Sequence, residues 1–273
     1  MNPAEKYRVT PGSTIDPADW KTDDAQGVDR DEAEARLAEN IDAPQKLQYR
    51  LFAEKKRSLL IVLQAMDAAG KDSTIRHVLG PLNPQGVQVK AFGRPTEREL
   101  AHDFLWRVHQ HTPRKGHIQV FNRSHYEDVL IARVDQLVPE PVWKQRYAII
   151  NEFERALHES GTEIVKIYLH ISKDRQKHKL AKRLTKPHKL WKFEPADFDT
   201  RRKWDQYMAA YAEAITRCTT DHAPWHIVPT DRKWHRLLII SEILRATLER
   251  IDPRFPNPKI NREEANRLLD EIG

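Results

Sequence analysis

The stretch Leu59-Leu-Ile-Val-Leu-Gln-Ala-Met-Asp-Ala-Ala-Gly-Lys-Asp-Ser-Thr-Ile75 decides how the chain is read. Its opening apolar run, Leu59 to Leu63, suits a strand buried in a parallel sheet. A loop of small residues follows, then Gly70-Lys71 and Asp72-Ser73-Thr74, residue types that open helices. Strand, loop and helix in that order make a phosphate cradle. Backbone N–H groups face inward, the helix N-terminus carries partial positive charge, and a lysine reaches the bound oxygens. The full motif is G-x-x-x-x-G-K-[ST]; here Ala65 stands at its first glycine and Asp72 at its hydroxyl position. Ala68, Ala69, Gly70, Lys71, Asp72 and Ser73 are the expected phosphate-binding residues. Asp67 lies inside the turn, where a carboxylate beside phosphates makes sense mainly as a Mg²⁺ ligand; the plainer reading is that it caps the turn.

Working outward, the strands expected after the first are Val87–Phe92, His117–Phe121, Glu163–His170 and Trp225–Pro229. Helical patterns lie between them, so the fold class is α/β: three layers, a parallel sheet flanked by helices, with a basic helical lid. Residues 1–30 read as an extended arm anchored by Tyr7 and Trp20, residues 31–252 as the main domain, and 253–273 as a proline-marked tail with a short helix. Thr96 and Glu99 make a capping box for a helix running through Leu105 and Val108. The third strand ends directly in Asn122-Arg123-Ser124-His125-Tyr126-Glu127-Asp128, at the strand end where open α/β sheets bind ligands.

The 273 residues carry 46 Lys+Arg against 40 Asp+Glu, a formal +6, which favours an anionic ligand without choosing among phosphate, nucleotide and nucleic acid. Cys218 is the only cysteine, which excludes an intrachain disulfide and a cysteine-based zinc site. No apolar run approaches the roughly 20 residues of a membrane span, and no export signal opens the chain, so a cytoplasmic protein is expected. Positive charge is densest from Lys173 to Lys192, where nine lysines and arginines face Asp174 alone. Such a run is usually a solvated helix face; Leu190, Trp191 and Phe193 interrupt this one.

Together these features suit phosphoryl transfer, which depends on positioning and on stabilising charge. Lys71 supplies the loop cation, Asp67 holds metal, Arg123 neutralises charge on the moving phosphoryl group, and the basic run closes over the phosphates. Arg123 could instead form a surface pair with Glu127 or Asp128. The thirteen histidines are scattered, and none is assigned a catalytic role.

The chain resembles the polyphosphate kinase 2 family in Met66–Lys71, Phe121–Val129, the basic lid with Trp191-Lys-Phe193, Ala223-Pro-Trp225 and Asp231–Trp234. The resemblance implies a P-loop kinase fold akin to thymidylate kinase. It also implies transfer of a phosphoryl group from inorganic polyphosphate to a nucleotide, with Mg²⁺. In the family the counterpart of Asp67 binds metal, that of Lys71 contacts phosphate, and that of Arg123 lies in the active site. Arg183 is the expected lid arginine, with Lys179, Lys182 and Lys186 beside it on phosphate. Lys90, Arg94, Thr96, Asn122 and Glu127 are expected at the nucleotide. Many members carry Asp at the position of Asn122, so Glu127 or Asp128 has to compensate; Asp128 is the second metal candidate. The Asn122–Asp128 version resembles the subgroup acting on both AMP and ADP, with ATP as a product and a homo-oligomer as the usual assembly. The rivals are an ATP-dependent nucleoside-monophosphate kinase, which needs no long basic track, and a nucleic-acid binder, which needs no Asp67 and Lys71 in one turn.

Overall fold

The computed structural model describes residues 3–25, 27–192 and 195–272. Five parallel strands form one sheet in the order β2-β3-β1-β4-β5. They are β1 Ser58–Ala65, β2 Val87–Ala91, β3 Ile118–Asn122, β4 Thr162–His170 and β5 Trp225–Pro229. The strand with the longest apolar run takes the centre, where both faces and both edges are covered; all eight residues of β1 are buried. At the edge, β2 leaves Val89 half exposed.

Register brings the functional segments together. Leu63 of β1 pairs with Asn122 of β3, and Ala65 with Leu169 of β4. The loop after β1, the turn after β3 and the helix after β4 therefore leave the sheet at one end. The chain turns to opposite sides of β1 here, and such a switch point opens a crevice.

The long helix Arg30–Glu54 runs unbroken through Pro44 and packs against the final core helix, Lys233–Ile251. Two expected helices are shorter than their patterns. The Thr96 capping box forms, but its helix ends at Leu100 and a separate turn covers Trp106–His109. In the basic run the α-helix Lys173–Leu184 gives way to a 3₁₀ segment, Pro187–Lys192. Phe193, counted with the lid aromatics, lies outside the described residues. The N-terminal arm is tied down by main-chain bonds: Val9 N–H donates to Trp225 O and Ile227 N–H to Tyr7 O, extending β5. No helix among the described residues is long and apolar enough to cross a membrane.

Behind the turn after β3 lies a closed polar cluster. Lys166 and Glu154 are fully buried as an ion pair. The Lys166 ammonium also donates to the Tyr126 hydroxyl at 2.9 Å, and Tyr126 donates to Glu154 at 2.9 Å. His125 meets the same carboxylate at 3.2 Å. Breaking such a pair strands one charge in the core, while neutralising both partners is far less harmful. Lys166→Met is expected to cost about 3–5 kcal/mol in urea denaturation. Adding Glu154→Gln should restore most of the loss; a double variant as unstable as the single would refute the coupling.

Candidate active site

The loop between β1 and the helix that begins at Lys71 has two left-handed residues, Ala68 (φ 62°) and Gly70 (φ 117°). Left-handed backbone at a residue with a Cβ costs energy and recurs at ligand-binding turns. The following helix is a single α-turn, Lys71–Thr74, that widens into a π-turn over Ile75–Leu79. Lys71 folds back over the loop and donates to Ala65 O at 3.0 Å. Burial, reinforced by Arg123, pushes its ammonium pKa down, while Asp67, Glu127 and Asp72 oppose that shift. The lysine therefore sits among three carboxylates and an arginine before any substrate arrives.

Arg123 is also left-handed, at φ 62°, and its N–H donates to Leu63 O at 3.0 Å across the β1–β3 pair. Its guanidinium donates to Asp67 at 2.9 Å. The partner is thus the loop carboxylate across the crevice, rather than Glu127 or Asp128 as a surface pair. Burial disfavours the Arg123 charge, but Glu127 and Asp67 outweigh burial and raise its pKa. Asn122 donates to Asp72 at 3.1 Å, which joins the two turns a second time.

Asp128, the second candidate metal ligand, is placed elsewhere. Its carboxylate lies 3.4 Å from Arg146 and 3.9 Å from Arg107, and burial raises its pKa to about 6 against the pull of those arginines. The 3₁₀ turn His125–Asp128 explains the split. Glu127 is electrostatically coupled to Lys71 and Arg123, whereas Asp128 holds the turn to its scaffold.

Among the described residues no three His, Cys, Asp or Glu side chains converge into a metal cage. Mg²⁺ does not need one, since it takes one or two carboxylates with water and substrate phosphates. The buried Ser73 hydroxyl, two positions after Lys71, has no hydrogen-bond partner and is a further hard oxygen in the loop. Asp67 and the Ser73 hydroxyl are hard oxygens of the kind Mg²⁺ takes, and Glu127 is coupled to the same Lys71 as Asp67.

The lid helix Lys173–Leu184 meets the loop directly. Gln176 donates to Asp67 O at 3.1 Å and Lys179 to Ala69 O at 3.5 Å. Lys182 is exposed, Lys186 lies past the helix end, and Arg183 pairs with Asp197 at 2.6 Å. On the nucleotide side Lys90 lies 5.7 Å from the Phe92 ring, Arg94 is exposed, and Thr96 caps its helix. A cleft of about 750 Å³ opens between the start of the lid helix and the start of the last core helix, with Arg30, Arg175, Arg232 and Lys233 facing Asp23, Glu34 and Asp231 in its lining.

Sequence reasoning missed Gln176 and Arg236. Arg236 is buried beneath the loop and donates to Ala69 O at 2.8 Å. The available signal was an arginine followed by the apolar run Leu237–Ile240, where a solvated charge has no place.

A parallel sheet whose first strand ends in a lysine-bearing phosphate loop, faced by an arginine at the end of the adjacent strand β3, defines a P-loop kinase fold. The chain belongs to the polyphosphate kinase 2 family: the family model described as Polyphosphate kinase 2 (PPK2) matches residues 27–256. It is 48% identical over 262 residues to the AMP/ADP-polyphosphate phosphotransferase of Meiothermus ruber, across 95% of this chain and 98% of that protein. It is 40% identical over 265 residues to the ADP-polyphosphate phosphotransferase of Rhodopseudomonas palustris, across 92% of each. The crystal structure of polyphosphate kinase 2 from Arthrobacter aurescens TC1 superposes with a TM-score of 0.95 at 40% identity, covering 99% of this chain and 97% of that one.

A Cβ at Gly70 would overlap the Arg236 guanidinium and would also force a side chain into left-handed backbone. Gly70→Ala is expected to destabilise the protein by about 1–3 kcal/mol and to weaken phosphate binding. Denaturation together with calorimetric titration of inorganic triphosphate measures both; wild-type values in both would show the loop to be looser than drawn.

Proposed function

We propose that the protein transfers a phosphoryl group from inorganic polyphosphate to AMP and ADP, reversibly, with ATP as the end product. The observation that carries this reading is the joining of Lys71, Asp67 and Arg123 at one sheet end. The named activities of the relatives support it.

A phosphate oxygen of the acceptor nucleotide attacks the terminal phosphorus of polyphosphate. The bridging P–O bond breaks, and the donor leaves one phosphate shorter with the bridging oxygen. Lys71 and the loop N–H groups hold the moving phosphoryl group, and Arg123 neutralises charge that builds on its oxygens. Bound Mg²⁺, held by Asp67 with Glu127 and Ser73, would add charge neutralisation. Asp128 orients the turn through Arg107 and Arg146. The nucleotide lies toward Lys90, Arg94, Thr96 and Asn122. The donor chain extends toward Lys179 and into the cleft of Arg175, Arg232 and Lys233, with Lys182, Lys186 and Arg183 closing from the lid. The same reading puts the protein in the cytoplasm, where its acceptor nucleotides are, and the family resemblance implies a homo-oligomer.

The test is a donor swap: AMP and ADP phosphorylation with long-chain polyphosphate, and with ATP as donor to AMP. Turnover with polyphosphate and little with ATP supports the proposal; the reverse makes the chain a nucleoside-monophosphate kinase.

Asp67→Asn removes one charge and almost no volume, and is expected to abolish turnover in a folded protein. Lys71→Met is expected to lower kcat by about 10²–10³-fold. Steady-state kinetics with thermal melting checks both, and activity within a few-fold of wild type in either would remove that residue from the mechanism.

Burial, with Arg236 and Arg175 adding to it, pushes the Lys179 ammonium down to about 8. Rising pH through that value removes a donor-side cation. The polyphosphate kcat/KM, which reports the free enzyme, is expected to hold below pH 7 and decline toward pH 9. Lys179→Arg keeps its charge and should lose that inflection; an unchanged profile would assign it to another group.

A further inference from the structure

Arg236 has an environment that the reaction described so far does not explain. It is 1% exposed, and the hydrogen bond it donates, to Ala69 O at 2.8 Å, goes to a neutral carbonyl. Its Nε has no partner. No carboxylate offsets the burial that lowers its pKa to about 10. The other groups coupled to it, Lys179 and Lys233, are themselves cations that it disfavours. Every other fully buried charged side chain among the described residues has an opposite partner: Lys166 and Glu154 have each other.

A buried, unpaired charge is among the costliest features a core can contain. Natural cores keep one where a bound counter-charge completes it. The geometry puts the loop nearest to hand for that counter-charge, because Gly70 packs directly against the guanidinium and Ala69 O joins the two.

We propose that Arg236 is a positioning residue whose counter-ion is the phosphate of the donor, so that the free enzyme gives up stability which donor binding restores. Arg236 does not touch the substrate. It polarises the Ala69–Gly70 peptide and adds fixed positive charge below the cradle, in a medium where charge is poorly screened. Lys179 donates to the same carbonyl from the lid, so Arg236 and the lid converge on one main-chain atom. This inference rests on the proposed polyphosphate donor.

The experiment compares wild type, Arg236→Met and Arg236→Lys as full chains. Thermal melting is measured alone and with long-chain polyphosphate, and KM is measured for polyphosphate and for AMP. Arg236→Met is expected to melt at or above the wild-type temperature without ligand. Its polyphosphate-induced rise should fall to less than half of the wild-type rise, and its polyphosphate KM should increase at least tenfold with the AMP KM within twofold. Arg236→Lys keeps the charge and should recover most of the KM change. A purely structural arginine gives the opposite pattern, and either part of that pattern overturns the proposal: Arg236→Met that unfolds or melts well below wild type without ligand, or wild-type KM and melting rise in that variant. If wild-type protein neither turns over nor is stabilised by polyphosphate, the donor assignment fails on its own. The same melting comparison is then read with ATP as the anion, where an undiminished rise in Arg236→Met overturns the role of Arg236.

Discussion

The pairing of Leu63 with Asn122 is the constraint on which the site depends. It sets the depth at which Arg123 leaves β3 relative to the loop leaving β1, and the Arg123 N–H closes the ladder on Leu63 O. A slip of one residue would turn every side chain on β3 to the other face. Arg123 would then point away from Asp67, and His125 and Tyr126 would lose Glu154. The buried cluster resists that slip from behind, because Glu154 and Lys166 are satisfied only when the turn stands where it does. The strained backbone at Ala68 and Arg123 persists because both sides of the crevice are fixed in this way.

Charge is concentrated at this end of the sheet at some expense to the fold. Lys71 is buried enough to have its pKa pushed down, and the carboxylates around it oppose that shift without cancelling it. A protein selected for stability alone would replace such groups with apolar ones of similar volume. Keeping them gives a site whose field is already oriented when phosphate arrives, so little reorganisation is left for the reaction itself.

The parts legible in the sequence were those governed by local rules. The continuous apolar run of β1, the Gly-Lys after a small-residue loop and the Thr96–Glu99 capping box each carry their own physical reason, and each forms. The rest needed the third dimension. Asp128 and Glu127 are neighbours in sequence, but a 3₁₀ turn directs one carboxylate toward Arg146 and couples the other to Lys71. The helix expected through Val108 breaks where Asp103 caps the turn at Leu105. Arg236 was hidden because helical periodicity assigns it to a face, and no local rule says that this face lies under the phosphate loop.

Donor preference follows from how the cations are spread. A nucleotide donor would place its phosphates on the loop and its base in a pocket that offers apolar surface and a few directed hydrogen bonds. The cleft near the lid instead has Arg30, Arg175, Arg232 and Lys233 around it, offset in part by Asp23, Glu34 and Asp231, with Arg30 paired to Glu34 and with Trp234, Leu37 and Leu237 as its apolar surfaces. Such a surface selects by charge density along a line more than by shape. Lys182 is exposed on the lid helix that also contributes Arg175. A flexible polyanion gains from each cation it passes through counterion release, whatever its register. A compact triphosphate reaches the first few and leaves the others solvated. The arrangement therefore favours the proposed linear donor over ATP by accumulation of small contacts, with Lys71 and Arg123 reserved for the one phosphoryl group that moves.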